Sequence, residues 1–237
     1  MKNKSYWRSF YPIYLCTAVL TIMISVIGSR SVTALVESKP IDRAQIFVID
    51  AGHGGIDGGA TSCTGVLESK LNLDIALRLN DLMHLLGMET VMIRLSDISV
   101  HTSGETIAAK KVSDLKERVR IVNETQNAIL ISIHQNTFSD SKYSGAQVFY
   151  ADNAESAHLA KILQSQLSAT INLGNNRRAK KAEGIFLLEN TNCTSLLLEC
   201  GFLSNAEEEA KLRSEFYQKA LCCVIASTLS CNFSETF

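Results

Sequence analysis

The chain lacks the sequence signals of a thiolate metal site and of a nucleic-acid-binding protein. Its seven cysteines never stand at C-x-x-C spacing, and Cys222 and Cys223 are adjacent, so the ligand spacing of a thiolate metal site is absent. Lysine and arginine number 23 against 24 aspartates and glutamates, with no basic stripe. We therefore expect neither a zinc-finger-like module nor a nucleic-acid partner. Internal repeats and low-complexity tracts are also lacking.

Acidic residues are absent from the first 34 residues, which have the pattern of a targeting segment. An uncharged stretch covers residues 10–28 and follows three cations, Lys2, Lys4 and Arg8. Cleavage after Ala34 would make the segment a secretory signal peptide. The stretch is also near the roughly 20 residues that an uncleaved membrane anchor requires. Both alternatives stay open, and both predict an extracytoplasmic location for the rest, with membrane contact only through this segment.

The remaining chain is long enough for one domain with a substantial core. Without residues 1–34 it has 237 − 34 = 203 residues, with 23 − 4 = 19 basic and 24 acidic side chains, a net charge of −5. We interpret residues 35–45 as a polar linker and residues 46–231 as the domain.

Strand-like and helix-like segments alternate along this domain. Apolar runs predict strands at residues 46–50, 90–94, 128–134, 146–150, 185–188 and 196–199. Leucines at helical spacing end at Gly87, and further helices are predicted at residues 113–126, at residues 154–170 and in two closing segments. The alternation predicts a single α/β domain, with a mostly parallel twisted sheet of about six strands and helices on both faces.

Three of the apolar runs lead to a side chain that can bind or activate a metal. The first run is followed by His53, the third ends at His134, and the last ends at Glu199. In an open α/β sheet the ligand site lies just outside the carboxyl ends of the strands. Two imidazoles and a carboxylate at that edge are the parts of a hydrolytic zinc site, which needs three protein ligands and an open position.

Three acidic residues compete for the place of third ligand: Asp50, Asp57 and Glu68. Glu68 is favoured because it opens the helix after a glycine-dense loop, which can fold it back over the strand ends. Glu199 then suits the role of a general base that takes a proton from attacking water. No Ser-His-Asp arrangement competes with this interpretation.

Four motifs together carry a resemblance to a known family. They stand in order between residues 46 and 230 and comprise residues 48–55, Glu68 with Asn72, residues 132–136 and residues 198–205. In these motifs the chain resembles the zinc-dependent N-acetylmuramoyl-L-alanine amidases of bacterial cell walls. A single domain behind an export segment is most similar to the spore germination-specific, CwlD-type branch.

The resemblance implies a reaction and a set of site residues. It implies hydrolysis of the amide between the lactyl group of N-acetylmuramic acid and L-alanine in peptidoglycan, and in the germination branch the formation of muramic-δ-lactam in spore cortex. It implies zinc held by His53, Glu68 and His134, with Glu199 catalytic. Substrate contacts are expected from Asn72, Arg94, Asn136 and Arg177. Whether an accessory protein activates the site stays open.

Departures from the family pattern and two rival functions qualify this hypothesis. Gly58 stands where proline is common, Gln135 where a small residue is usual, and Glu189 where an arginine commonly follows. One rival is a non-catalytic peptidoglycan-binding protein on an amidase scaffold. The other is a nucleotide-binding domain, but the glycine loop has Asp57 at the third glycine position and no Gly-Lys-Ser/Thr follows.

Overall fold

The computed structural model describes residues 45–233. The predicted targeting segment at residues 1–34 lies outside this range, as does the predicted linker apart from Gln45. Within residues 45–233, no helix combines the length and the apolar content that a membrane crossing requires.

Six strands and six helices make up the described part of the chain. The strands are β1 (Ile46–Ala51), β2 (Glu89–Met92), β3 (Ala128–Asn136), β4 (Gln147–Tyr150), β5 (Lys180–Lys181) and β6 (Thr194–Phe202). The helices are α1 (Glu68–Leu85), α2 (Ile107–Glu124), α3 (Ala154–Thr170), α4 (Phe186–Asn190), α5 (Ala206–Arg213) and α6 (Glu215–Phe233).

The strands form one sheet in the order β2-β1-β3-β6-β4-β5. Strands β2, β1, β3 and β6 are parallel, whereas β4 pairs antiparallel with β6 and parallel with β5. The prediction of a mostly parallel α/β sheet of about six strands is confirmed. Because β4 runs the other way, its first residue lies at the edge where β3 and β6 end.

Both faces of the sheet are covered, which explains why the central strands are apolar runs. One face packs against α1, α3 and α6 in a cluster that includes Ile49, Ile131 and Leu198. The other face packs against α2 and α4, and Val48, Leu130 and Leu197 lie there. Helices on both faces were predicted and are observed.

Two predicted elements differ from the structure. The predicted strand at residues 185–188 is wrong: α4 forms there, and the sixth strand is the short β5. Leu187 and Leu188 are both buried, 4% and 2% exposed, against the same cluster. A strand would send neighbouring side chains to opposite faces, so a helical turn buries both where a strand could not. Helix α2 also begins earlier than predicted, after Thr106, whose hydroxyl accepts from the Ala109 amide.

Candidate metal centre

A row of polar side chains crosses the carboxyl edge of the sheet. His134 of β3 is in register with Glu199 of β6, and Glu199 is in register with Gln147 at the start of β4. Residues paired across neighbouring strands project from the same face. The fold therefore places an imidazole, a carboxylate and an amide side by side, although they are far apart in the chain.

His53 reaches this edge through a strained loop after β1. Its backbone has φ 60°, in the left-handed region that costs a non-glycine residue about 1–2 kcal/mol. Paired backbone hydrogen bonds between Gly54 and Asp57 close the turn, and the Arg118 guanidinium donates to the His53 carbonyl at 2.7 Å. Strain that neighbouring contacts hold in place is typical of functional sites.

Glu68, the first residue of α1, lies between the two imidazoles. Its Oε1 is 3.0 Å from His134 Nδ1, and its Oε2 is 3.2 Å from His53 Nε2. Ligand atoms of the three residues lie within 4.8 Å of one another. The Ala60 and Gln135 amides donate to the carboxylate, as does the Asn72 side chain. These contacts fix its orientation.

The three acidic candidates for third ligand have different neighbours in the structure. Asp57 accepts from the far side of His53, with Oδ2 at 2.9 Å from Nδ1, and Lys111 Nζ lies 2.8 Å from its other oxygen. Such a carboxylate fixes the tautomer of a ligating histidine and leaves Nε2 free for a metal. Asp50 instead pairs with Arg118 and accepts from the Ser132 hydroxyl at 2.6 Å. Glu68 alone stands between the histidines.

The charges of this cluster suit a bound cation. Burial raises the pKa of Glu68, yet hydrogen bonds and charge from His134 and His53 hold that pKa well below its usual range. Burial lowers the pKa of His53, but Glu68 and Asp57 outweigh it and raise that pKa to about 9. Two ring nitrogens and a buried carboxylate are also the donor set that zinc prefers. The residues therefore fit a zinc ion.

Glu199 lies beside this cluster without a hydrogen-bond partner of its own. Its Oε2 is shut off from solvent and finds no donor among residues 45–233. Burial is the main cause that raises the pKa of Glu199 to about 7; Glu68 adds to the rise, while His134 and His53 oppose it. A carboxyl group with such a pKa can both accept and return a proton near neutral pH.

The four residues expected to contact substrate fall into two pairs. Asn72 and Arg94 are buried, 0% and 2% exposed, and donate to protein acceptors that include the Gly52 carbonyl. These two buried side chains therefore brace the backbone just before His53. Asn136, at the end of β3, and Arg177 are partly exposed at the carboxyl edge.

Sequence reasoning missed Gln147, the third member of the polar row. It is 3% exposed, and its Oε1 accepts from Arg177 Nη1 at 2.8 Å. The available signal was a polar residue at the start of the apolar run 146–150. Its meaning depended on β4 being antiparallel, which the run itself does not reveal.

Replacing Gly52 by alanine should weaken metal binding. The added Cβ would lie 2.1 Å from His134 Nε2, so the imidazole must move. We expect the affinity for zinc to fall at least about tenfold, as it does when residues that orient a metal ligand are mutated. Competition with a chromophoric chelator would measure this affinity. Gly58→Ala is the matched control, because its Cβ meets only the end of the Leu67 side chain at 3.1 Å. Equal affinities of the two variants would contradict the expectation.

The fold and site together define a class of protein. It is an α/β protein with a candidate hydrolytic metal centre of two histidines and one glutamate, and with a second glutamate beside it, at the carboxyl edge of its sheet. The family model for N-acetylmuramoyl-L-alanine amidase matches residues 47–230. The chain belongs to this family, and the predicted resemblance is confirmed.

A similar protein of named function and two similar proteins with solved structures are also amidases. The germination-specific N-acetylmuramoyl-L-alanine amidase of Bacillus subtilis (strain 168) is 32% identical over 237 residues, covering 99% of this chain and 98% of the relative. The CwlD amidase of Clostridioides difficile, solved in complex with the GerS lipoprotein, is 35% identical with a TM-score of 0.77, covering 81% of this chain and 99% of that one. The catalytic domain of CwlV from Bacillus (Paenibacillus) polymyxa is 28% identical with a TM-score of 0.67, covering 80% and 98%. The chain is therefore a peptidoglycan amidase by family.

Proposed function

We propose that the protein uses zinc to hydrolyse the amide between N-acetylmuramic acid and L-alanine in peptidoglycan. The single observation that carries the proposal is the placement of Glu68 between His53 and His134, with the unpartnered Glu199 carboxylate in register beside His134. His53, Glu68 and His134 would hold the ion, and Glu199 would be the catalytic residue. Zinc bound there would polarise the scissile carbonyl and make water nucleophilic at neutral pH.

The protein's own residues would divide the remaining work. Glu199 takes a proton from the attacking water and returns it to the nitrogen of the departing L-alanine. Asp57 orients His53, and Asn72 orients Glu68, so that the ligands are preorganised. Arg94 holds the loop that carries His53, by donating to the Ala51 and Gly52 carbonyls.

Metal removal tests the proposal directly. We expect the purified full-length protein to release peptides from peptidoglycan, to lose this activity in a chelator and to regain it with zinc. Released amino termini and free muramic acid lactyl groups would be quantified by mass spectrometry. Cosedimentation with intact sacculi without cleavage, whatever metal is supplied, would instead favour the non-catalytic wall-binding alternative.

The cellular role proposed is in spore cortex, at an extracytoplasmic site. The name of the germination-specific relative, which matches nearly the whole chain, supports it. Stripping of stem peptides would there precede formation of muramic-δ-lactam. Cortex from a strain that lacks the protein should contain no muramic-δ-lactam, by muropeptide chromatography. The solved complex of a relative with a lipoprotein supports proposing an accessory protein here as well; zinc content measured with and without candidate partners tests that part.

A further inference from the structure

A polar cavity of about 740 Å³ is lined by Gly145 and Arg177, and Arg177 contacts Gln147 of the polar row. Because β4 is antiparallel to β6, the residues just before Gln147 lie at the same edge of the sheet as Glu199. Gly145 is among them and lines the cavity. The cavity is therefore an extension of the edge that carries the candidate catalytic carboxylate.

Arg177 joins this cavity to the polar row. Its Nε donates to the Ser144 carbonyl and its Nη1 to Gln147 Oε1, each at 2.8 Å, and the guanidinium lies 4.6 Å from the centre of the Phe202 ring. A guanidinium has five N–H groups, so 5 − 2 = 3 have no acceptor among the described residues. A planar donor held in place with free N–H groups is preorganised to bind a carboxylate.

Other lining groups also favour an anionic, hydrogen-bonding ligand. Asn172 is 7% exposed, and its amide nitrogen has no partner among residues 45–233. Lys142 and Lys211 also line the cavity, but Lys142 Nζ pairs with Asp140 at 2.7 Å and Lys211 Nζ lies 3.8 Å from Glu208, so Arg177 is the lining cation with free donors. Of the lining carboxylates of Glu207 and Glu208, one is engaged, because Glu208 accepts from the Gly145 amide at 2.6 Å.

We propose that this cavity is the subsite for a carboxylate of the peptidoglycan stem peptide, with Arg177 as its receptor. The inference rests on the proposed function. Of the two parts of the substrate, the N-acetylated sugars are uncharged and the stem peptide carries carboxylates. Neighbouring strands are about 4.8 Å apart, so the β4 position of Gln147 is roughly 10 Å from that of His134. An extended peptide covers this distance in about three residues, which places Arg177 near the second or third residue after the scissile bond.

The test compares two soluble N-acetylmuramoyl tripeptides that differ at one group. Both begin with L-alanine followed by γ-linked D-glutamate, and the α-carboxylate of the glutamate is free in one and a carboxamide in the other. The zinc-loaded full-length protein should cleave the carboxylate form with the lower KM. Arg177→Gln should raise KM for that form by about ten- to a hundredfold, as expected for a lost charge-assisted hydrogen bond, and change little for the carboxamide. Arg178→Gln is the matched control, since Arg178 is exposed and does not line the cavity.

Each outcome decides the proposal. No preference between the two substrates, or an equal loss on both in Arg177→Gln, overturns the subsite while leaving the amidase function intact. Calorimetric binding of the free L-alanyl-γ-D-glutamyl peptide gives a readout independent of catalysis. One result would support the subsite and remove the amidase function: the protein cleaves neither substrate, yet it binds the free peptide, Arg177→Gln weakens this binding, and a carboxamide in place of the carboxylate abolishes it.

Discussion

Replacing Glu199 by glutamine is expected to lower the rate of amide hydrolysis by about 10²- to 10⁴-fold while the protein keeps its zinc. Glutamine has the same shape but cannot accept a proton from water or return it to the leaving nitrogen. Glu199 is in register with His134, but among residues 45–233 no hydrogen bond links its side chain to Glu68 or His53, so the three-residue cluster does not depend on it for its geometry. Loss of turnover without loss of metal is thus the signature of a general base.

Two measurements separate this outcome from a general loss of structure. Zinc content by elemental analysis should equal that of the wild-type protein, and the thermal transition should be unchanged or higher, because a carboxylate oxygen that is shut off from solvent without a partner is costly. Glu155→Gln, an exposed glutamate in the first turn of α3, is the matched control and should keep full activity. Unchanged peptide release by the Glu199 variant would remove this residue from the mechanism.

Of the substitutions proposed here, Arg118→Met should cause the largest loss of stability, about 3–5 kcal/mol in the free energy of unfolding. Arg118 is 2% exposed and pairs with Asp50, which is 1% exposed, and with Asp114 at 2.6 Å. Without the guanidinium, the Asp50 carboxylate stays buried and uncompensated. Because Arg118 also donates to the His53 carbonyl, the loop should loosen and zinc affinity should fall.

Denaturant unfolding of the metal-free and zinc-loaded protein measures both effects. Arg120→Met on the same helix is the matched control, since the Arg120 side chain is exposed where it pairs with Glu117 and Glu124, and its loss should change stability little. The double variant Arg118→Met/Asp50→Leu should recover part of the loss, because the Asp50 carboxylate is then no longer buried without its partner. If Arg118→Met and Arg120→Met unfolded at the same denaturant concentration, the Arg118–Asp50 pair would not be a stabilising element.

The stability that Asp50 contributes should depend on pH in one direction. Burial raises the pKa of Asp50, but Arg118, His134 and Ser132 outweigh it and hold that pKa below its ordinary value. A lowered folded-state pKa gives a contribution that is complete above the unfolded value of about 3.9 and is lost as the pH falls through the folded value. Wild-type stability should therefore fall more steeply below about pH 4 than that of the double variant, as acid titrations of unfolding would show.

Local signals in the sequence were enough for the sheet and for much of the candidate site. Buried parallel strands are continuous apolar runs, and His134 and Glu199 each end one, so their position at the carboxyl edge follows from the pattern alone. The run at residues 185–188 was misassigned because a four-residue apolar run fits a buried helical turn equally well. Only packing against the cluster of Leu130 and Leu197 distinguishes the two.

By itself the sequence determined the fold class, the family and which side chains could bind a metal, since apolar periodicity and residue chemistry are properties of short segments. The tertiary structure alone decided which carboxylate has which neighbour. Asp50, Asp57 and Glu68 all stand near His53 in the chain, but Asp50 lies against Arg118, Asp57 against Nδ1, and Glu68 between the imidazoles. It also brought Gln147 beside Glu199 and Arg177 into contact with Gln147, because strand order and direction come from pairing between distant segments, which no local pattern encodes.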